Sequence, residues 1–517
     1  MPNFVDFSGR PFHFIGIGGI GMSALAYVIA KRQLPVYGSD LRSSHITQRL
    51  QEIGARIFWQ QDPSNLKSFG SDIGHSSENF VSVGDKGNCR ESRIGKESPL
   101  ASPNQRKNST AVLPQVICST AINPTNPEYK AALDLGCPVF HRSDLLAALI
   151  EEYQSIAVAG THGKTTTSSM IGYMLLQAGK DPTIVVGGEV NAWKGNARLG
   201  HGPYLVAEAD ESDGTLAKLS AYIGVVTNIE LDHPDHYENL DQVVDIFKVF
   251  KESCTKLVGC IDSPAVRDKL KPDISYSLKP GSSAQYTVDR VAYRSDGTTA
   301  RVWDRGEILG QLSVSLLGEH NLSNALAAVA VGRELGLDFK TIASNIATFE
   351  GTRRRFEIAG EFNDIMFVDD YAHHPSEIRA TLSSARIYAG AKGTSLARRV
   401  VAIFQPHRYS RTQAFLPEFA ESFEEADVAV VTDIYSAGEK RIPNINGERL
   451  AKEIADNHHP EVHYQPSLES LSEFLKKNLA PGDLALFLGA GNVNKIVPDV
   501  MAFHQQAAPS STTCPQA

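Results

Sequence analysis

The run Gly160-Thr161-His162-Gly163-Lys164-Thr165-Thr166 has the residue types of a phosphate cradle. Glycines let a backbone approach an anion closely, and a helix opening at Lys164 would aim its free N–H groups and its dipole at that anion. Lys164 can reach β- and γ-phosphate oxygens, and the Thr165 hydroxyl can ligate Mg2+. The longer Walker form needs glycine at position 158, where this chain has Val158, so the fit is to the short form G-T-x-G-K-T. Further on, Glu208-Ala209-Asp210-Glu211-Ser212-Asp213 offers carboxylates to a hard cation beside phosphates. The segment Asp232-His233-Pro234-Asp235-His236 has zinc-like residue types. Its proline prevents ligands from standing one helical turn apart. That leaves a single histidine helping a Mg2+ site, or a loop of capping side chains.

Polar clusters recur toward the C-terminus. Asp369-Asp370-Tyr371-Ala372-His373-His374 and Gln405-Pro406-His407-Arg408-Tyr409-Ser410-Arg411 are two of them; Asp433 to Glu439 and Gly489-Ala490-Gly491-Asn492 are two more. Arg408 and Arg411, three apart, suit a bidentate hold on a carboxylate. Arg353-Arg354-Arg355-Phe356-Glu357 would bring cations beside nucleotide phosphates on domain closure. Asn492 can cap the helix after it. Near the N-terminus, Gly16-Ile17-Gly18-Gly19-Ile20-Gly21 fits G-x-G-x-x-G, and Asp40 stands at dinucleotide spacing. The glycines of that pattern serve any pyrophosphate, NAD or UDP-sugar alike.

Each cluster must be held at the end of a strand, because open parallel sheets bind ligands beyond their carboxyl ends. Short apolar runs stand just upstream at Phe12–Ile15, Leu34–Gly38, Gln115–Cys118, Ser155–Ala159, Tyr204–Ala207, Ile223–Thr227, Met366–Val368, Val400–Phe404, Val428–Val431 and Leu484–Leu488. Between them lie amphipathic helices, such as Ser143–Ile150 and one with Met170, Ile171, Met174 and Leu175 on one face, closed by Gly179. The alternation is the α/β pattern. A chain of 517 residues suits roughly three domains.

The net charge is -9, and no stretch is strongly basic, so nucleic acid has no electrostatic footprint here. There is no apolar run of about 18 residues and no signal-like N-terminus, so we expect a cytoplasmic protein without membrane insertion. The six cysteines form no CxxC pair, which fits a reducing compartment. Residues 75–110 are polar and without period, and are read as a disordered insertion; the end from about residue 505 is read as a flexible tail.

Taken in order, Gly16–Met22, Gly160–Thr166, Glu208–Asp213, Thr227–His233, His320–Ala325, Arg354–Glu357, Asp369–Glu377, Phe404–Thr412 and Gly489–Asn492 resemble the motif blocks of the Mur ligases, which build the peptide stem of peptidoglycan. The forms Asp370–Pro375 and Gln405–Arg411 are most similar to the member that adds L-alanine. The resemblance implies an α/β fold of three domains: a Rossmann-like UDP-substrate domain (1–151), a central P-loop-type ATP-binding domain (152–350) and a Rossmann-like amino-acid-binding domain (351–504), with a tail at 505–517. It implies that ATP activates the lactyl carboxylate of UDP-N-acetylmuramate as an acyl phosphate, which L-alanine attacks. It implies catalytic roles for Lys164, His373 and Arg355, and ATP contacts from Gly160 to Thr166 and from Asn321, Asn324 and Arg355. Thr165, Glu208 and His233 would hold Mg2+. Gly16, Gly18, Gly19, Gly21 and Asp40 would meet the UDP-substrate, and Tyr371, His373, Arg408 and Arg411 the amino acid. A monomer or homodimer is expected. Three other readings stay open: a recycling ligase that attaches a tripeptide to the same UDP-sugar, an NAD-dependent oxidoreductase resting on Gly16–Gly21 and Asp40, and a non-catalytic UDP-sugar or nucleotide sensor.

Overall fold

In a computed structural model, residues 4–67, 69, 112–212, 214–390, 397–457 and 461–507 are described. The expected insertion at 75–110 and the acidic residue Asp213 lie outside them.

Three sheets carry the chain. The first contains β1 (Phe12–Ile15), β2 (Val36–Ser39), β3 (Arg56–Phe58), β4 (Gln115–Cys118) and β5 (Val139–His141) in the order β3-β2-β1-β4-β5. All four pairings are parallel. The order reverses between β1 and β4, so the crevice above that junction is the natural ligand position. β2 starts at Val36 rather than at the expected Leu34, because Pro35 has no N–H to give to a ladder.

The second sheet contains β6 (Gln154–Ala159), β7 (Thr183–Val190), β8 (Gly195–Arg198), β9 (Tyr204–Glu208), β10 (Ile223–Val226), β11 (Lys256–Cys260), β12 (Ile274–Ser277), β13 (Tyr286–Arg294), β14 (Gly297–Asp304) and β15 (Glu307–Val314). Its order is β15-β14-β13-β12-β11-β10-β6-β9-β7-β8. The centre is parallel, and β13, β14 and β15 extend it as an antiparallel meander. That meander was not anticipated, although Arg305-Gly306, with φ of 47° and 83°, is a two-residue hairpin turn of the kind a sequence can signal.

The third sheet contains β16 (Glu357–Phe362), β17 (Ile365–Asp370), β18 (Arg399–Phe404), β19 (Val428–Thr432), β20 (Val462–Gln465) and β21 (Asp483–Leu488), in the order β16-β17-β21-β18-β19-β20, parallel except at β16. The chain forms two compact units, Met1–Arg142 and Ser143–Ala517, and the second holds both the second and third sheets. The helix Val497–Ala507 runs through residues 505–507, which corrects the start of the expected tail. Gln505, Gln506 and Ala507 are helix-compatible, and no glycine or proline interrupts them.

Packing explains why the strand ends are rigid. The helix Lys164–Gln177 buries Met170, Ile171, Met174 and Leu175 completely, against a core shared with β6, β9 and the helix Glu319–Glu334. A side chain of this size contributes about 1.5–3 kcal/mol when fully buried. The loop that joins β6 to this helix is therefore fixed at both ends. No helix among the described residues is long and apolar enough to cross a membrane.

Candidate functional site

The turn after β6 needs its glycines. Gly160 has φ +136°, and a Cβ there would stand 2.1 Å from Thr227 Oγ1. Gly163 caps the helix at φ +80°, where a Cβ would stand 2.7 Å from Asn324 Oδ1. The segment after β10 pins the turn: Thr161 N–H donates to the Asn228 carbonyl at 3.0 Å, His162 N–H to Asn228 Oδ1 at 2.9 Å, and Thr227 Oγ1 to the His162 carbonyl at 2.6 Å.

Lys164 Nζ folds over this turn, donating to the Gly160 carbonyl at 2.7 Å and to Glu211 at 2.8 and 2.9 Å. Burial works against the ammonium charge, but Glu211 and Asp210 outweigh it and hold Lys164 above the ordinary lysine range. Thr165 Oγ1 donates to Glu208 Oε1 at 3.0 Å, and Glu208 Oε2 takes the Gly187 N–H at 2.6 Å. A hydroxyl and a carboxylate side by side at a helix N-terminus are the donors a hard cation needs beside phosphates. His233, at φ +55°, lies beside Asp232, with Nε2 3.6 Å from Asp232 Oδ2. Burial first, and the nearby Arg411, push its pKa down to about 4, so it is a neutral imidazole able to ligate. Thr165 and Glu208 touch; no hydrogen bond among the described residues joins His233 to them.

A cleft of about 1070 Å3, counted out to its open mouth, runs from this turn to the third sheet. His162, Asn228, Asn321, Asn324, Arg355 and Glu377 line it. Asn324 Oδ1 accepts from Thr167 Oγ1 at 3.0 Å, and Asn321 Nδ2 donates to the Leu317 carbonyl at 2.7 Å. Arg355 has NH1 3.4 Å from Glu377 Oε1 and stands over the Tyr371 ring at 5.2 Å. Burial opposes its charge, and Glu377 and Asp370 restore it.

Glu377 had not been singled out from the sequence, yet it is a hub. It accepts the His373 N–H at 3.0 Å, approaches His373 Nδ1 at 3.1 Å and His162 Nδ1 at 3.6 Å, and its carboxyl is held well below the usual range despite burial. Glu230 does the same on the other side of His162, with Oε2 at 3.5 Å from Nε2 and a 2.6 Å bond from Ser376 Oγ. Only their place in polar strand-end runs could have flagged these two acids.

The residues expected at the amino-acid end form one neighbourhood. Tyr371 and His373 have ring centroids 5.2 Å apart, and His373 and His407 5.8 Å. Arg411 NH1 is 3.4 Å from His407 Nδ1. Arg411 does clamp a carboxylate, but an internal one: it is buried and donates to Asp232 from Nε at 2.9 Å and NH2 at 3.2 Å. Arg408 is half-buried and pairs with Asp235 at 2.5 Å. Asn492 gives its following turn no side-chain cap; its Oδ1 instead accepts from Gln405 Nε2 at 2.9 Å.

In the first unit, Gly16 turns at φ +79°, and Asp40 Oδ2 accepts the Gly18 N–H at 2.8 Å. A Cβ on Gly18 would stand 2.8 Å from that same oxygen. Gly19 caps the helix Ile20–Lys31, and Gly21 lies in its first turn. Asp40 therefore braces the loop with one oxygen.

The chain matches three profiles along its length: "Mur ligase family, catalytic domain" at residues 11–154, "Mur ligase middle domain" at 158–332 and "Mur ligase, glutamate ligase domain" at 354–491. It is 62% identical over 512 residues to a Nostoc punctiforme protein named UDP-N-acetylmuramate–L-alanine ligase, covering 99% of this chain and 100% of the relative. Among solved structures it resembles the UDP-N-acetylmuramate-alanine ligase MurC of Thermotoga maritima, with TM-score 0.74, 26% identity, and 96% of this chain and 100% of that one covered. A murein peptide ligase from Psychrobacter arcticus shares the fold at TM-score 0.66 and 21% identity, over 96% of this chain and 99% of that one.

Proposed function

The chain belongs to the Mur ligase family, and from that premise we propose that it ligates L-alanine to the lactyl carboxylate of UDP-N-acetylmuramate in peptidoglycan precursor synthesis. The observation that carries this reading is the cleft lined by the phosphate turn, Arg355 and Glu377, two residues that in turn contact the Tyr371 ring and His373. The 62% identity to a whole relative of that name supports it.

In this reading ATP gives its γ-phosphoryl group to a lactyl carboxylate oxygen, and ADP leaves. The L-alanine amine then attacks the acyl carbon, a tetrahedral intermediate forms, and its collapse breaks the bond to phosphate. Gly160–Thr166, Asn321 and Asn324 hold ATP, and Lys164 and Arg355 meet the phosphoryl charge. Mg2+ would be held by Thr165, Glu208 and His233, and would neutralise charge on phosphate oxygens. His373 Nδ1 faces two acceptors, the Tyr371 carbonyl at 3.0 Å and Glu377 at 3.1 Å, an arrangement that favours the tautomer with the proton on Nδ1. Nε2 then keeps a lone pair that can take the proton shed by the attacking amine. Tyr371 and Arg408 orient the amino acid. The UDP-substrate lies on the Gly16–Gly21 loop, and the reaction runs in the cytoplasm, where ATP is supplied. Residues 1–151, 152–350 and 351–504 are assigned to UDP-substrate, ATP and amino acid respectively. The oxidoreductase alternative leaves the phosphate turn and the whole third sheet without a task.

The test is phosphate release from Mg-ATP with UDP-N-acetylmuramate and a panel of amines: L-alanine, glycine, L-serine, D-glutamate and the stem tripeptide. Release that needs both substrates and is fastest with L-alanine is expected. Fastest release with the tripeptide would move the chain to the recycling branch.

A further inference from the structure

One buried polar cluster plays no part in the chemistry above. It lies in the first unit, under the Gly16–Gly21 loop. Glu128, in the first turn of the helix Pro127–Asp134, is fully buried. Its Oε1 accepts from His13 Nε2 at 2.8 Å and from Asn65 Nδ2 at 2.8 Å; its Oε2 accepts from Ser39 Oγ at 2.5 Å. His13 and Ser39 are also fully buried, and Asn65 nearly so. A carboxylate here is costly to desolvate, and a well-packed apolar group of similar size would serve stability as well or better. What it supplies is unique geometry: three donors on three different segments converge on one side chain.

Those segments frame the ligand crevice. His13 lies on β1, which runs directly into the glycine loop. Ser39 ends β2, and its carbonyl accepts the Gly16 N–H at 2.8 Å and the Ile17 N–H at 3.0 Å. The next residue, Asp40, holds the Gly18 N–H at 2.8 Å. Asn65 lies in the helix after β3, and Glu128 itself in the helix after β4, across the point where the strand order reverses. Asn126, which caps the Glu128 helix, also donates to Gln61 Oε1 at 2.6 Å, a second tie between the same two segments. The loop cannot shift relative to the end of β2 without breaking one of its bonds to Ser39 and Asp40, and Glu128 ties Ser39 in turn to the helix after β4.

We propose that Glu128, with Ser39 and His13, is a positioning residue that fixes the glycine loop for a pyrophosphate-bearing substrate, without touching that substrate. The inference rests on the reading that the UDP-substrate occupies this loop. Exchanging one carboxylate oxygen for an amide either sets that N–H against His13 or Asn65 or reverses the bond to Ser39, whose hydroxyl must then accept; either change alters the hold on Ser39, whose carbonyl supports Gly16 and Ile17.

The experiment is calorimetric titration of UDP-N-acetylmuramate into the full chain and into Glu128→Gln and Ser39→Ala, with steady-state kinetics and thermal melting on each. Both variants are expected to bind about 10- to 100-fold more weakly, the scale for losing partners that orient a binding group. KM for the UDP-substrate should rise in step, while kcat at saturation and KM for ATP stay within about two-fold. If Glu128→Gln does not fold, Ser39→Ala decides alone. Unchanged UDP-substrate affinity in a folded variant would overturn the proposal, as would equal losses in KM for all three substrates and in kcat. A wild-type chain that does not bind UDP-N-acetylmuramate would instead overturn the reading on which it rests.

Discussion

Removing the guanidinium of Arg411 would leave the Asp232 carboxylate buried with two of its hydrogen-bond donors gone. Both side chains are almost fully enclosed, at 3% and 6% exposure, so solvent cannot take over. Burial opposes the Asp232 charge, and Arg411 is the largest of the groups that keep it ionised below the ordinary carboxylate range. Breaking a buried pair from one side costs roughly 3–5 kcal/mol, because a lone charge remains. Arg411→Ala should therefore destabilise the second compact unit by about that amount. Replacing both partners, Arg411→Met with Asp232→Leu, should cost far less than the sum of the single changes, since no charge is left behind.

Urea unfolding of the whole chain can read this out. Two of the three tryptophans report on this unit: Trp303 lies on β14 and Trp193 in the turn between β7 and β8. A double-mutant cycle over Arg411 and Asp232 should give a coupling of at least about 1.5 kcal/mol. A coupling below about 0.5 kcal/mol is what an exposed pair shows. That result would refute the reasoning that Asp232 depends on Arg411 as its buried counter-charge.

Three further outcomes are expected. Lys164→Ala should lower turnover by at least roughly 10²–10³-fold while UDP-N-acetylmuramate binding, followed by calorimetry, stays unchanged; loss of binding with turnover retained would remove Lys164 from the phosphate site. Arg408→Ala, at a half-exposed pair, should shift stability by no more than about 1 kcal/mol but raise KM for L-alanine; an unchanged KM would take Arg408 out of the amino-acid site. His162 is raised from 6.5 to about 9, burial being outweighed by Glu230 and Glu377, and Glu230 is lowered from 4.5 to about 2, burial being outweighed by His162. Their mutual stabilisation is full between those ordinary values and is lost as pH rises through about 9 or falls through about 2. The stability difference between wild type and Glu230→Gln should thus be larger near pH 5.5 than near pH 9.5, about one unit below and three above the ordinary histidine pKa; equal differences would mean that His162 is not charged in the fold.

How much of this was legible in the sequence depends on whether the constraint is local. Gly160 and Gly163 are demanded by backbone angles within one short turn, so the phosphate site shows in consecutive residues. The strands of the parallel sheets are short apolar runs, and their existence is plain even where an end shifts, as at Pro35. The meander of β13–β15 was missed because its strands are half-exposed and their alternation is diluted by residues such as Arg294 and Arg301. The long-range pairs have no local signal at all. Glu128 and His13 are 115 residues apart, and Arg411 and Asp232 are 179 apart. Nothing in either neighbourhood names its partner. Arg411 was matched to a carboxylate on the ligand, and the fold adds one of its own, Asp232.

Such internal pairing recurs across the site. Each cation proposed to meet an anionic substrate already has a carboxylate partner: Glu211 for Lys164, Glu377 for Arg355, Asp235 for Arg408. Pairing them internally keeps three positive charges in a tight space without mutual repulsion, so the cleft can be assembled before any ligand enters. It also means that a phosphate or carboxylate binds by exchange, and its affinity reflects the difference between two charge-assisted contacts. A weak internal contact makes exchange easy. Arg355 and Glu377 stand 3.4 Å apart, whereas Lys164 makes bonds of 2.8 and 2.9 Å to Glu211. Of these two, Arg355 has the looser contact to exchange for an incoming phosphoryl group. Lys164 must be drawn from Glu211 by the phosphate oxygens of an incoming nucleotide.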